Sequence, residues 1–257
     1  MINFKSDINK YLKYNDKKKI YISLIFAIVV IGIVIIGMQL LKYNVEGEKS
    51  LPFKLTKMLI ISTADGIGKE DSQYLWDLDI LQKNDVYIEI KENKEDIKND
   101  QFKKITLENF IISNGPQKGE PKIYHPVNDK DLVYVYKEEN ISNEKIEYNV
   151  AEKSNIKKLE ISSNEGLVSF SSCSSNVASY KSNEDTEVSY DGKLLNKVQI
   201  TEEEVKYDVS FDMIIEMESK KTYKATFNLQ LPLKNITSDG IVKSEIKDFE
   251  NIVFKRI

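Results

Sequence analysis

Apolar positions follow two different patterns along this chain. Between Ile20 and Leu41 they are continuous: IYISLIFAIVVIGIVIIGMQLL, 22 residues without a charged side chain. At about 1.5 Å per residue, such a helix spans roughly 33 Å, which matches a hydrocarbon layer of roughly 30 Å. A buried helix of a water-soluble domain is usually shorter and carries a polar stripe. The run therefore predicts a transmembrane helix over 20–41. It is longer than the apolar region of a cleaved signal peptide, and MQLLKYNVEGEK offers no small-residue cleavage site. An uncleaved signal anchor is the expectation.

Beyond Pro52 the pattern changes to a period of two. In Leu75–Ile80 (LWDLDI), Trp76, Leu78 and Ile80 share one side, and Asp77 and Asp79 the other. Val86, Ile88 and Ile90 alternate with Tyr87, Glu89 and Lys91, and the polar LQKND between the two runs suggests a hairpin. Phe53–Thr63, Ile105–Ile112 and Leu132–Tyr136 (LVYVY) are further strand candidates. The longest alternation is Val205, Tyr207, Val209, Phe211, Met213, Ile215 and Met217. A turn at Ser219–Lys221 leads to Tyr223, Ala225, Phe227, Leu229 and Leu231. Paired as a hairpin, these residues make one oily and one wet face, and Pro232 falls where a strand can lose a donor. Thr201 and Glu204 have capping-box spacing, which predicts a helical turn, and Gly192–Lys197 is a second candidate.

The expected fold is mainly β: an N-terminal transmembrane helix, then an extracytoplasmic antiparallel β-sandwich-like region. The polar stretch 137–155 (KEENISNEKIEYNVAEKSN) reads as a linker between β-rich domains at 53–136 and 156–257. One continuous sandwich is the alternative. Residues 1–19 form a basic tail and 42–52 a polar stalk.

Charge sets the orientation. The tail holds six lysines against Asp7 and Asp16, whereas net charge from residue 43 onward is −9. A lysine excess holds its end in the cytosol, so the C-terminal part is expected outside. Phe4, Ile8, Tyr11 and Leu12 stand at helical spacing in the tail; a purely topogenic segment is favoured over an interfacial helix.

The runs DGKLLNKVQITEEEVKYDVSFDMIIEME, YKATFNLQLP and DFENIVFKR resemble uncharacterised single-pass membrane proteins of low-GC Gram-positive bacteria. The resemblance covers most of the exported part. It implies membrane localisation and adds nothing about chemistry.

Composition limits that chemistry. Cys173 is the single cysteine and His125 the single histidine, so an intrachain disulfide is impossible and a Cys/His zinc site is not expected. A Ser-His-Asp triad would depend on His125, and no G-x-S-x-G elbow is present. Cys173, expected half-buried among the serines of SFSSCSSNVASYKS, has no partner thiol. Ala64–Lys69 (ADGIGK) lacks phosphate-loop spacing and reads as a loop after a strand. Asp77 and Asp79 are the carboxylate pair considered for hydrolysis, and Asp65, Glu70 and Asp71 the cluster considered for calcium; both read as solvated acid. An acidic exported surface disfavours nucleic acid.

No catalytic, cofactor-binding or metal-binding residue is therefore expected, and no cofactor. The expected partners are the lipid bilayer, through residues 20–41, and a protein or cell-wall component. The expected role is structural or interactive at the cell envelope. The rivals are a single-pass sensor whose short tail docks a cytosolic partner, and a surface carboxylate-based hydrolase.

Overall fold

Strands that are apolar on one side must cover that side, and here two sheets do so with a common set of side chains. The computed structural model describes residues 26, 28–70, 72–94, 100–127, 133–142, 145–150, 159–183 and 193–257. The tail 1–19, the start of the 20–41 segment, Asp71, Leu132, Gly192 and part of 137–155 lie outside the described residues. The chain divides into two units, 1–47 and 48–257.

In the first unit, helix α1 (Ile28–Glu46) is long and apolar enough to cross a membrane, and none of its most apolar stretch is buried. Nothing interrupts the helix at Leu41: it continues through the expected stalk to Glu46, with Lys42 and Glu46 paired one turn apart at 3.7 Å. Gly47 ends it. Its φ of +69° suits a residue without Cβ, and its N–H reaches Tyr43 O at 2.8 Å.

The second unit is mainly β. One sheet contains β1 (Phe53–Gly68), β2 (Trp76–Glu92), β4 (Glu120–Tyr124), β7 (Glu165–Ser182) and β10 (Ile241–Ile246), in the order β10-β1-β2-β7-β4. The other contains β3 (Phe102–Ser113), β5 (Lys145–Val150), β6 (Leu159–Ile161), β8 (Tyr207–Met217), β9 (Thr222–Leu231) and β11 (Lys255–Arg256), in the order β11-β9-β8-β3-β5-β6. All pairings are antiparallel except β5 with β6. Residues 53–136 and 156–257, read from the sequence as separate domains, each supply strands to both sheets, and β5, within 137–155, pairs with β3.

The apolar core draws on both sheets. Phe53, Ile60, Val86, Ile88 and Phe170 from the first meet Phe102, Ile105, Phe211 and Phe227 from the second. Phe170 meets Phe211 edge-on at 5.0 Å, and Phe211 stacks on Phe227 at 5.0 Å. The β8–β9 hairpin has the expected register, with Phe211 opposite Phe227 and Met213 opposite Ala225. A smaller cluster adds Leu194 and Leu195 of α2 (Leu194–Lys197), Val205 of α3 (Glu202–Val205) and Ile236 of α4 (Ile236–Asp239) to Ile80 and Leu78. Both expected helical turns form. At α3, the Thr201 N–H and hydroxyl donate to Glu204 Oε2 at 2.9 and 2.8 Å.

Three local expectations differ from the structure. LWDLDI and VYIEI are one strand, not a hairpin, because LQKND contains no turn-forming Gly or Pro and its Gln82 and Asn84 are hydrogen-bonded inside the fold. Ala64–Gly68 continues β1 against Gly68-paired Leu78 rather than forming a loop. Residues 133–136 of LVYVY are not a strand; the Val135 carbonyl is taken locally by Asn140 Nδ2 at 2.9 Å and the Lys137 N–H at 2.9 Å.

Phe211 is fully buried between three aromatic rings. Phe211→Ala should cost about 3–5 kcal/mol of stability, measured as a shift in the urea unfolding curve followed by the fluorescence of Trp76.

Candidate functional site

The first sheet carries polar groups on both faces of β2, because side chains alternate along a strand. On the inner face, Gln82 and Asn84 are fully buried beside Ser62 and Ser172. Ser62 Oγ donates to Asn84 Oδ1 at 2.6 Å, and Gln82 Nε2 donates to the same oxygen at 2.9 Å. Asn84 Nδ2 donates to Gln82 Oε1 and to Tyr207 Oη, both at 2.9 Å. Tyr207 Oη also lies 2.8 Å from Ser172 Oγ, so this network joins the two sheets. Complete burial raises the Tyr207 hydroxyl pKa, while Ser172 and Asn84 oppose the shift.

The outer face is the stronger candidate. Register places Asp85 opposite Ser171, Tyr87 opposite Ser169 and Lys83 opposite Cys173. Residues 133–136 lie across these groups as a strap. Tyr134 Oη donates to Ser169 Oγ at 2.7 Å, and Tyr136 Oη donates to Asp85 Oδ1 at 3.3 Å. Tyr136 stacks with Tyr134 and meets Tyr124 edge-on at 5.2 Å, and Lys83 Nζ sits 5.5 Å above its ring. Leu81, Cys173 and Ile141 complete the apolar surround.

Burial is the leading influence on Asp85, Tyr87, Cys173, Tyr134 and Tyr136. It raises the Asp85 carboxyl above its ordinary value, while hydrogen bonds from Ser171 and Tyr136 and the charge of Lys83 oppose that rise. It pushes Tyr87 and the Cys173 thiol up to about 12, and Tyr134 and Tyr136 higher still. Lys83 forms an ion pair with Asp65 of β1.

A third tyrosine closes the margin of this region. Strand β4 ends opposite Ser171, leaving Ser169 on β7 without a strand on that side. Tyr148, from the other sheet, fills the gap: its hydroxyl donates to Ser169 O at 2.6 Å and accepts from Ser169 N–H at 2.9 Å. One hydroxyl thus replaces both missing ladder bonds.

The residues singled out from the sequence fall elsewhere or have ordinary partners. His125 follows β4; its N–H donates to Asn140 O at 3.1 Å, and Nδ1 lies 3.1 Å from Pro126 O. Cys173 is buried rather than half-buried, because it faces the strap. Asp77 and Asp79 share a face. Asp77 is buried, accepts from Ser72 Oγ at 2.8 Å and has Lys181 at 3.8 Å, whereas exposed Asp79 pairs with Lys69 at 2.7 Å. Among the described residues, no group of three or more His, Cys, Asp or Glu is placed to hold a metal ion. Asp85, Ser169, Ser171, Tyr134 and Tyr136 escaped sequence reading. Their one signal was the alternation of Tyr134 and Tyr136 within LVYVY. Comparison with protein-family models, curated proteins and solved structures finds no match.

Chemically, the outer cluster offers a carboxyl, two serine hydroxyls and stacked phenols, all engaged with one another. Tyr148→Phe leaves the Ser169 N–H and C=O without their partner and should cost about 1–3 kcal/mol, read from chemical unfolding. Asp85 has a pKa raised by folding, so its contribution is fully favourable below the unfolded value and is lost as pH climbs through the native one. Asp85→Asn cannot ionise. Its unfolding midpoint should therefore gain on the wild-type midpoint as pH rises from acid to neutral.

Proposed function

We propose that this chain is a single-pass membrane protein whose β unit is an extracytoplasmic two-sheet sandwich with a structural or interaction role at the cell envelope. The observation that carries the reading is α1, whose Ile28–Glu46 span is about 28 Å long at helical rise and has an unburied apolar surface. An uncleaved helix of that kind needs lipid around it. The lysine-rich residues 1–19 support a cytosolic N-terminus, and the acidic balance beyond residue 43 supports an exported C-terminal part.

The sandwich reading is supported by the core shared between the sheets. A binding or scaffolding role, with another envelope protein or a wall component as partner, is supported by the state of the polar groups. The carboxylates considered for hydrolysis hold lysines, and the outer-face hydroxyls hold each other. Such an arrangement stiffens a surface.

The test is protease treatment of intact cells and of inverted vesicles, with a C-terminal epitope tag on the full chain. The tag should be lost from cells and protected in inverted vesicles, and the protein should stay with the membrane through an alkaline wash. A tag protected in cells, or release of the protein by the wash, would overturn the proposal.

A further inference from the structure

The strap over β2 and β7 carries a property beyond anchoring, one that the chain has wherever it resides. Asp85 is partly buried, and no ion pair to it forms among the described residues. The nearest cation, Lys83, is held by Asp65. The surround of Leu81, Tyr124, Cys173, Tyr134, Tyr136 and Ile141 is apolar and aromatic. A carboxylate in such surroundings is short of water and its nearest cation is engaged elsewhere, and a neutral carboxyl avoids part of that cost.

We propose that residues 133–136 form a proton-controlled clasp, seated on the sheet while the Asp85 carboxyl is protonated and loosened when it ionises. The strap touches Asp85 through a single hydroxyl, that of Tyr136, at 3.3 Å. That hydroxyl also lies 3.2 Å from Ser171 Oγ, and Tyr134 supplies the second attachment, at Ser169. Opening the strap gives the carboxylate water, which the closed arrangement withholds. The proton therefore favours the closed form, and its loss favours the open one.

The neighbouring groups leave this role to Asp85. Lys83 and Tyr87 face it along β2, Asp65 from β1, Cys173 from β7, Tyr124 and, one pair further along, Lys122 from β4, and Tyr134 and Tyr136 from the strap. Lys83 and Asp65 are charged and paired with each other. Burial favours the neutral form of the four tyrosines and of the cysteine. Ser171 and Tyr136 donate to the carboxylate and so resist the shift, but burial is the larger effect and leaves the carboxyl above its ordinary range.

Cys173, the single thiol, packs with Tyr134 and Tyr136 and reports on the strap. The experiment measures its modification by a pyridyl disulfide in the full-length protein in detergent, for wild type and Asp85→Asn at each pH. The ratio of the wild-type to the variant rate removes the part of the thiol's pH dependence that Asp85 does not set; the Asp85 charge holds the thiolate back and so lowers the ratio as pH rises, the opposite of what opening does. The ratio should be near one at the acid end of the series and rise by about fivefold or more as pH climbs past the raised native value of Asp85. A flat ratio overturns the clasp. Ser171→Ala removes a donor to the carboxylate and provides a second reading if Asp85→Asn fails to fold. Its rise in rate should begin at higher pH than that of wild type, and an unchanged midpoint also overturns the proposal.

Discussion

The constraint on which the β unit depends is mutual cover: neither sheet can keep its apolar side dry without the other. The seam runs through aromatic rings, with Phe53 set edge-on against Tyr223 and Phe254, and Phe170 against Phe110 and Phe211. Rings make large contacts while fixing few torsions, so a few of them set the separation and alignment of two broad surfaces. The hydrogen bonds that join Asn84 and Ser172 with Tyr207 lie within that seam. Sliding one sheet over the other would leave these groups buried without partners, so the apolar contacts supply cohesion and the polar ones help select the register.

Legibility in the sequence followed the physics of alternation. The β8–β9 hairpin was plain because its buried positions repeat every second residue without exception from Tyr207 to Met217. The capping box at Thr201 was plain because its chemistry is local. β2 misled for the opposite reason: Gln82 and Asn84 occupy core positions, and the partners of Asn84 at Ser62, Ser172 and Tyr207 lie far away in sequence. A polar residue in an apolar slot reads as a turn until the fold provides its partner.

The outer-face cluster was hidden for a related reason. Tyr134 and Tyr136 look like strand residues, and nothing local shows that the Val133 and Val135 carbonyls beside them are taken within the loop while the two hydroxyls reach β2 and β7. Asp85 looks like solvated acid until the strap is drawn over it. Long-range pairing decides both, and a single sequence does not encode it by spacing. The continuation of α1 to Glu46 is a milder case: charge at Lys42 marked the end of the apolar run, but helices end at backbone signals, and that signal is Gly47.

The sheet margins have a consequence for how copies behave when crowded. Among the strands that end each sheet, β4 has 5 residues, β6 has 3 and β11 has 2, and the longest, β10, has 6 with Lys243 and Glu245 exposed on it. Short or charged margins give a neighbouring chain little template for strand addition. At these margins a neighbouring chain would meet charge or only a few free backbone groups, which disfavours edge-to-edge addition there.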